Sequence, residues 1–463
     1  VKAALIALAL PLPLCAAPTL ILHHGRVITL DRANRIVEAV AVDADGRIAA
    51  VGSNEEILAL QGEGTTLTDL GGKTLLPGLM DSHVHPGAAM TEFDHEIPTM
   101  ETIAEVLAYI SDRVKASKPG ELVLVRQVFI TRLEEKRYPT REELDRVAPE
   151  NPVVFSTGPD SMLNSQALKL GGYTRDYRPP EGSEGRMEVD AQGEPTGLLR
   201  SLSHNVKAPN AMRSPTEADT YRRTLELFRA YNAVGLTTVA DRDSSLKMVS
   251  LYEKMLAQGD LCVRMRASPG IPSMSLWPAC EKAIEEVINH PRTQADPRLQ
   301  IIGTKVYLDG GMLTGSAWMT EPWGISQAYG ISDPAYRGVQ KIPADRLRQL
   351  VEKVTATGLQ FTAHSVGDAA VKLLIDTYEA VNERYNVRAA RSSVTHCNFM
   401  RPESIEKAAK LGVCIDLQPI WLHMDGRTLT EHFGVQRMAL FQPLRACFDQ
   451  KVIVGGGSDH MQK

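Results

Sequence analysis

The hydrophobic pattern changes character once along the chain. Residues 19–73 carry short apolar runs, 20–30, 39–52 and 66–70, separated by turn chemistry such as Ala44-Asp45-Gly46. Asp-Gly between apolar runs accepts the left-handed backbone of a tight hairpin, so this segment predicts a small β domain. His23 and His24 fall inside its first strand and are read as structural. From Leu75 onward, apolar runs of strand length alternate with stretches of helical period. The predicted strands are 75–81, 152–155, 235–241, 299–308, 359–364, 392–396, 412–417 and 451–455, with helices at 103–116 and 216–232 among the stretches between them. Such alternation builds a parallel sheet, and the count is close to what a closed (β/α)8 barrel requires. The expected class is therefore α/β: a (β/α)8 TIM barrel over 74–463 beside a small flanking β-sandwich whose N-terminal part is 18–73. Residues 171–200 are rich in Gly and Pro and predict a loop with a hairpin turning at Val189–Glu194, placed as a lid over the barrel mouth.

Composition changes this picture little. A chain of 463 residues accommodates one large domain and a smaller one. Hydrophobic content of 43% and charged content of 23% are those of a soluble globular protein. A net charge of -5 without a basic run gives no electrostatic footprint for nucleic acid. The N-terminus adds an address. Lys2, an apolar run to Leu14 and the small residues Cys15-Ala16-Ala17 have the three-part pattern of a signal peptide over 1–17. The run is too short to span a bilayer, so the expectation is an exported protein, periplasmic or secreted, with no membrane span. Beyond Cys15, the cysteines at 262, 280, 397, 414 and 447 are odd in number and lack a C-x-x-C pair, which is no disulfide framework. They read as small buried apolar residues, with Cys397 set apart because it follows His396.

Candidate chemistry gathers at the predicted strand ends. His83 and His85 close the run from Thr74, and residues two apart in a strand point to the same face. Two imidazoles leaving one strand end together suit a metal ion. In barrels of this class the C-terminal strand ends hold the chemistry, and other metal-competent residues fall at such ends. Lys305 interrupts an apolar strand with a charge; it is either ion-paired with Asp309 or, once carboxylated by CO2, an anionic oxygen ligand. His364 ends a strand in which Gln360, Thr362 and His364 share a polar face and Leu359, Phe361 and Ala363 an apolar one, the alternation of a barrel wall. His396 ends the next strand, and Asp459 follows the glycine-rich run 455–457.

Taken in order, the pieces Leu76-Pro-Gly-Leu-Met-Asp-Ser-His-Val-His, Gly235-Leu-Thr-Thr-Val, Lys305-Val-Tyr-Leu-Asp-Gly, His364-Ser-Val-Gly-Asp, Val394-Thr-His, Gln418-Pro and Gly457-Ser-Asp resemble the amidohydrolase superfamily, and within it the amidohydrolase-3 group of YtcJ-like proteins. The resemblance covers nearly the whole chain from residue 19. It implies a (β/α)8 barrel beside a composite β-sandwich and one or two divalent metal ions, usually zinc. It places His83, His85 and Asp459 on a first metal, carboxylated Lys305 between two, and His364 with His396 on a second. With unmodified Lys305, the implied site is one metal on His83, His85, His364 and Asp459, with His396 toward substrate. The family pattern has a histidine near the Asn-Ser-x-Ala-Leu piece, and 158–168 here has none. It also continues past the Gly-Ser-Asp strand, whereas this chain starts with Val1 and stops at Lys463, so the expectation is a C-terminally truncated chain with an incomplete sandwich.

The expected function is metal-dependent hydrolysis of a carbon–nitrogen (non-peptide), amide-like bond in a small molecule. A metal-activated hydroxide attacks the carbonyl, and Asp459 acts as general base and then acid. His423 is either a substrate or oxyanion contact or a solvent-facing loop residue, and Asp309 and Asp368 are candidates to orient Lys305 and His364. The alternatives are a mononuclear-metal deaminase of a cyclic amine and an inactive scaffold or regulatory relative. The sequence does not decide between a monomer and a homo-oligomer.

Overall fold

The computed structural model describes residues 16–126, 128–157, 160–179, 185–202, 205–211 and 213–460. The predicted signal peptide lies outside them except for Ala16 and Ala17. The chain forms two compact units that meet in sequence at Leu79 and Met80.

The first unit is all but wholly β. One sheet has the order Ile48–Gly52, Ala39–Val42, Leu20–His23, Thr66–Asp69; the other has Ile36–Val37, Arg26–Ile28, Thr74–Leu75. The run 20–30 therefore serves both sheets, broken at His24, whose φ of 55° turns the chain. The hairpin turn is the one its Asp-Gly pair demands: Gly46 takes φ 74° and donates its N–H to the Asp43 carbonyl. Alternation drives Ile21, Ala39 and Ala41 into a small core with Ile57. His24 Nδ1 donates to Asp69 Oδ2 at 3.0 Å on the surface of this unit.

The second unit is a closed barrel of eight parallel strands: β1 (Leu79–Val84), β2 (Leu236–Ser244), β3 (Arg264–Pro269), β4 (Gly303–Tyr307), β5 (Gln360–Ser365), β6 (Ser393–His396), β7 (Cys414–Leu417) and β8 (Ile453–Gly456). Closure comes from Val84 bridging His460, with the Asp459 N–H donating to the His83 carbonyl at 2.9 Å. On the opposite side Gly270 bridges Lys305 and joins β3 to β4. The predicted run 299–308 is two strands. Leu299–Ile301 pairs with β3, the chain steps across at Ile302, and β4 pairs with β5.

Two predicted strands are corrected. Leu75 belongs to the first unit, and the barrel strand starts at Leu79, because Pro77 lacks the N–H a ladder needs and interrupts the run. Residues 152–155 do not join the barrel. They lie in a separate five-stranded sheet, order Arg186–Val189, Pro195–Arg200, Ser161–Leu163, Val153–Ser156, Val123–Val125, within the long connection that follows β1. The strand that takes the vacant barrel place is β3, whose Arg264-Met-Arg-Ala charges mask its apolar face.

Helices α1 (Glu217–Ala233), α2 (Leu246–Ala257), α3 (Trp277–Ile288), α4 (Ala344–Thr355), α5 (Asp368–Asn382) and α6 (Pro402–Leu411) follow the strands in turn. After β7 come α7 (Ile420–Met438) and α8 (Leu444–Asp449). Start signals are local: Thr216 accepts from the Asp219 N–H while Asp219 accepts from the Thr216 N–H, a capping box worth about 1 kcal/mol. Burial supplies most of the stability. In α4, Leu347, Leu350, Val351 and Val354 recur at helical spacing and pack in one core with Phe361 and Ala363 of β5. Each such side chain contributes roughly 1.5–3 kcal/mol. The other face of β5 looks inward, where Thr362 hydrogen-bonds Thr395 at 2.7 Å and Gln360 receives the Arg242 guanidinium. The alternation read from the sequence is thus the alternation of the wall. Among the described residues no helix is long and apolar enough to cross a membrane.

Candidate metal centre

β1 ends in His83, and His85 stands one residue beyond it, with the two Nε2 atoms 3.1 Å apart. His83 is fully buried and its Nδ1 donates to Asp416 Oδ2 of β7 at 2.9 Å. That bond puts the proton on Nδ1 and leaves a lone pair on Nε2. Asp416 is itself held by Ser82 Oγ at 2.6 Å and by the Gln418 amide at 3.3 Å. The same glutamine fixes His396. Its Oε1 accepts from His396 Nδ1 at 2.9 Å, which frees the His396 Nε2 lone pair. Trp421 stacks on the His396 ring with centroids 5.3 Å apart.

Asp459 closes the group. Its Oδ1 lies 3.2 Å from His85 Nε2 and 3.5 Å from His83 Nε2, and among the described residues it accepts no well-formed hydrogen bond. Ligand atoms of His83, His396 and Asp459 all fall within 4.8 Å of one another. Burial, reinforced by Lys305, lowers the His83 pKa well below 6.5. Burial does the same for His364, again with Lys305, and for His396, with His364 beside it. Burial alone would raise the Asp459 carboxyl, but His83 and His85 hold it below the ordinary carboxylate range. The Nε2 lone pairs of His83 and His396 and an ionised carboxylate converge at one point, with His85 beside them. An arrangement of acceptors alone is unfavourable unless a cation sits among them, and nitrogen with oxygen donors suits a zinc-like divalent ion.

His364, at the end of β5, stacks edge-on against His396 with centroids 4.5 Å apart, and its Nε2 is 3.1 Å from the Gly310 carbonyl. The structure thus gathers His396 with His83 and Asp459, where the mononuclear set implied by the sequence had His364 instead. Lys305 lies inward from β4, in register with Thr362. It is fully buried, its Nζ has no hydrogen-bond partner among the described residues, and burial brings its pKa down to about 8. The ion pair with Asp309 does not form. Asp309 instead accepts the backbone N–H groups of Val366, Gly367 and Trp318 at 2.9–3.0 Å and so ties the loop after β5 to the loop after β4. Asp368 does not reach His364; it binds the Thr320 N–H and Arg401. His423 is exposed on α7, and Trp421 of the same helix lines the cavity in its place. Cys397 is buried, and burial raises its thiol well above the ordinary range, which marks it as inert.

Four residues near the site hold left-handed backbone without being glycine: Asp243 (φ 91°), His396 (φ 80°), Cys397 (φ 43°) and Asp459 (φ 56°). Such strain persists where surrounding contacts over-determine the geometry. The site opens into a cavity of about 460 Å³. Phe129, Met312, Leu313, Val366 and Trp421 give it largely apolar walls. Among the described residues, none of 171–200 lines it; the expected lid hairpin is instead the edge of the five-stranded sheet. Asp416 escaped the sequence reading although a charge inside Cys414-Ile-Asp-Leu is a visible break in an apolar strand.

The geometry has counterparts. A family model described as "Amidohydrolase family" matches residues 66–462. The chain is 26% identical over 452 residues to an N-substituted formamide deformylase of Arthrobacter pascens, covering 95% of this chain and 80% of that one. It is 25% identical over 450 residues to the protein named as the amidohydrolase YtcJ in Bacillus subtilis, covering 94% and 80%. Among solved structures, an uncharacterized metal-dependent hydrolase of Pyrococcus horikoshii superposes with a TM-score of 0.65 at 20% identity, over 95% of this chain and 82% of that one. With the barrel closed and the family matched across most of its length, the chain belongs to the amidohydrolase family, hydrolases of carbon–nitrogen bonds other than peptide bonds.

Proposed function

We propose that this protein hydrolyses a small amide of the N-acyl or N-formyl type at a centre holding divalent metal, zinc being the ion its donors suit best. The observation that carries the reading is the convergence of the Nε2 lone pairs of His83 and His396 with the carboxylate of Asp459, beside the His85 ring. These four residues would hold one ion, and Lys305 with His364 would serve a second once Lys305 carries CO2. When bound, the metal supplies a water acidic enough to ionise near neutral pH and polarises the substrate carbonyl. Asp459 takes the proton from the attacking water on its carboxylate and returns it to the departing nitrogen, so that water and amide become acid and amine. Asp416 and Gln418 keep His83 and His396 in the tautomers that present Nε2. The apolar walls exclude water from the reacting groups and receive the substituent of the amide. The similarity to a formamide deformylase supports the formyl or short acyl class. Export remains part of the proposal and rests on the pattern of residues 1–17 alone.

The test is metal analysis of the purified protein together with amine release from a panel of N-formyl and N-acetyl amines. Bound metal and turnover that is lost on chelation and restored by zinc are expected. A protein that binds no metal when zinc is supplied, or that is equally active after chelation, would overturn the reading. Two metals per chain require carboxylated Lys305, which intact-mass measurement under CO2 would reveal.

A further inference from the structure

The chemistry above leaves one cavity cation unused. Lys341 ends the loop that returns from β4, anchored by its N–H on the Leu308 carbonyl at 2.8 Å. It is only 9% exposed, and it lines the same cavity as His85, His364 and Asp459. Among the described residues its Nζ has neither a hydrogen bond nor a carboxylate within ion-pairing distance, and the centroid of the Tyr307 ring lies 5.5 Å away. The carboxylates that act on it through space are engaged elsewhere. Asp309 spends its oxygens on three backbone N–H groups, and Asp160 faces Arg200 at 3.6 Å, Ser316 and the Ser201 N–H. Asp243, the other acidic group of the cavity besides Asp459, accepts from the Tyr307 hydroxyl at 2.8 Å. An ammonium without a partner in a largely apolar chamber is costly for the folded protein, and the cost is recovered when an anion arrives.

We propose that Lys341 is a specificity residue that receives a carboxylate on the substrate, so that the amide hydrolysed is an N-acyl amino acid with an apolar side chain rather than a neutral amide. The inference rests on the function proposed above and adds the substrate class. The walls formed by Phe129, Met312, Leu313 and Trp421 take the side chain, Lys341 takes the charge, and the amide lies toward Asp459. A charged hydrogen bond formed in such surroundings is worth one to two orders of magnitude in affinity.

A matched pair of probes tests this: N-formylphenylalanine and N-formylphenethylamine, which differ only by the carboxylate. With zinc-loaded protein, kcat/KM is expected to favour the acid by about 10- to 100-fold. Lys341→Met should erase that preference, and Lys341→Arg should retain part of it. Calorimetric binding of both probes to the chelator-treated protein separates this inference from the catalytic reading. If neither probe is hydrolysed but the acid binds more tightly in wild type and not in Lys341→Met, the inference stands and the proposed reaction falls. If both probes are hydrolysed alike by wild type, the inference falls and the reaction stands; if both are bound alike, the inference falls whatever the turnover. Because an unpaired buried charge is removed, Lys341→Met should melt at or above the wild-type temperature; a lower melting temperature marks the lysine as a structural residue and overturns the proposal.

Discussion

At the scale of single residues, the site is a problem of where protons are. His83 and His396 each spend Nδ1–H on a buried oxygen, of Asp416 and Gln418 respectively, and each is left with Nε2 as an acceptor. Removing Asp416 should therefore act through His83. Asp416→Ala is expected to weaken zinc affinity by about 10- to 100-fold with the ligands themselves untouched, as measured by chelator competition; an unchanged affinity would show that the tautomer is fixed otherwise. On the proposed mechanism Asp459→Asn keeps the shape but loses the proton acceptor, and turnover should fall by about 10²- to 10⁴-fold while the circular dichroism spectrum is retained. The pH dependence follows from the depressed histidine pKa values. A group whose pKa in the folded protein lies well below 6.5 stays neutral as pH falls through 6.5. Protons then compete with metal only further into the acid range. Metal content after dialysis should be flat between pH 7.5 and 6.5 and decline below; release centred at pH 6.5 would contradict neutral buried imidazoles.

At the scale of elements, the strand ends act as a set because the barrel brings them to one mouth. The glycine-rich run after Val454 lets β8 press against its neighbours. A Cβ on Gly457 would sit 2.7 Å from the His83 Cβ and 3.1 Å from both Asp416 Oδ1 and Gln418 Nε2. Gly457→Ala should therefore disturb the two groups that orient the histidines, costing about 1–3 kcal/mol of stability as overpacking does and weakening metal binding together with it. A fully active, fully stable Gly457→Ala protein would show that β8 has slack. The strand parity of β5 was legible because side chains alternate regardless of what lies around them: Phe361 and Ala363 face the helices, Thr362 the interior. The strand at 152–155 was equally legible as a strand, but its sheet was not. An apolar run of four looks the same in a barrel wall and in the sheet of an insertion.

At the scale of the whole molecule, the centre ties together strands far apart in the chain. His83 and Asp416 are 333 residues apart in sequence and share a hydrogen bond. Metal bound there stabilises the barrel by mass action, about 4 kcal/mol at a free concentration 1,000 times Kd. Chelation is expected to lower the melting temperature, and zinc to restore it in proportion to the logarithm of its concentration. A melting temperature indifferent to chelator would place the metal outside the fold's cooperative unit.

What the sequence by itself determined is the alternation of strands and helices, with the candidate ligands His83, His85, Lys305, His364, His396 and Asp459 placed at or next to strand ends. Both are written in local periodicity, and in a parallel barrel every strand's C-terminal end points to the same mouth. What only the tertiary structure decided is which of those residues meet. His396 rather than His364 joined His83 and Asp459, Asp309 served backbone N–H groups rather than Lys305, and His423 faced solvent. The pairing of Asp416 with His83 and the isolation of Lys341 inside the cavity were likewise settled there. These are contacts, or missing contacts, between segments that only the closed barrel brings together, and no spacing along the chain encodes them.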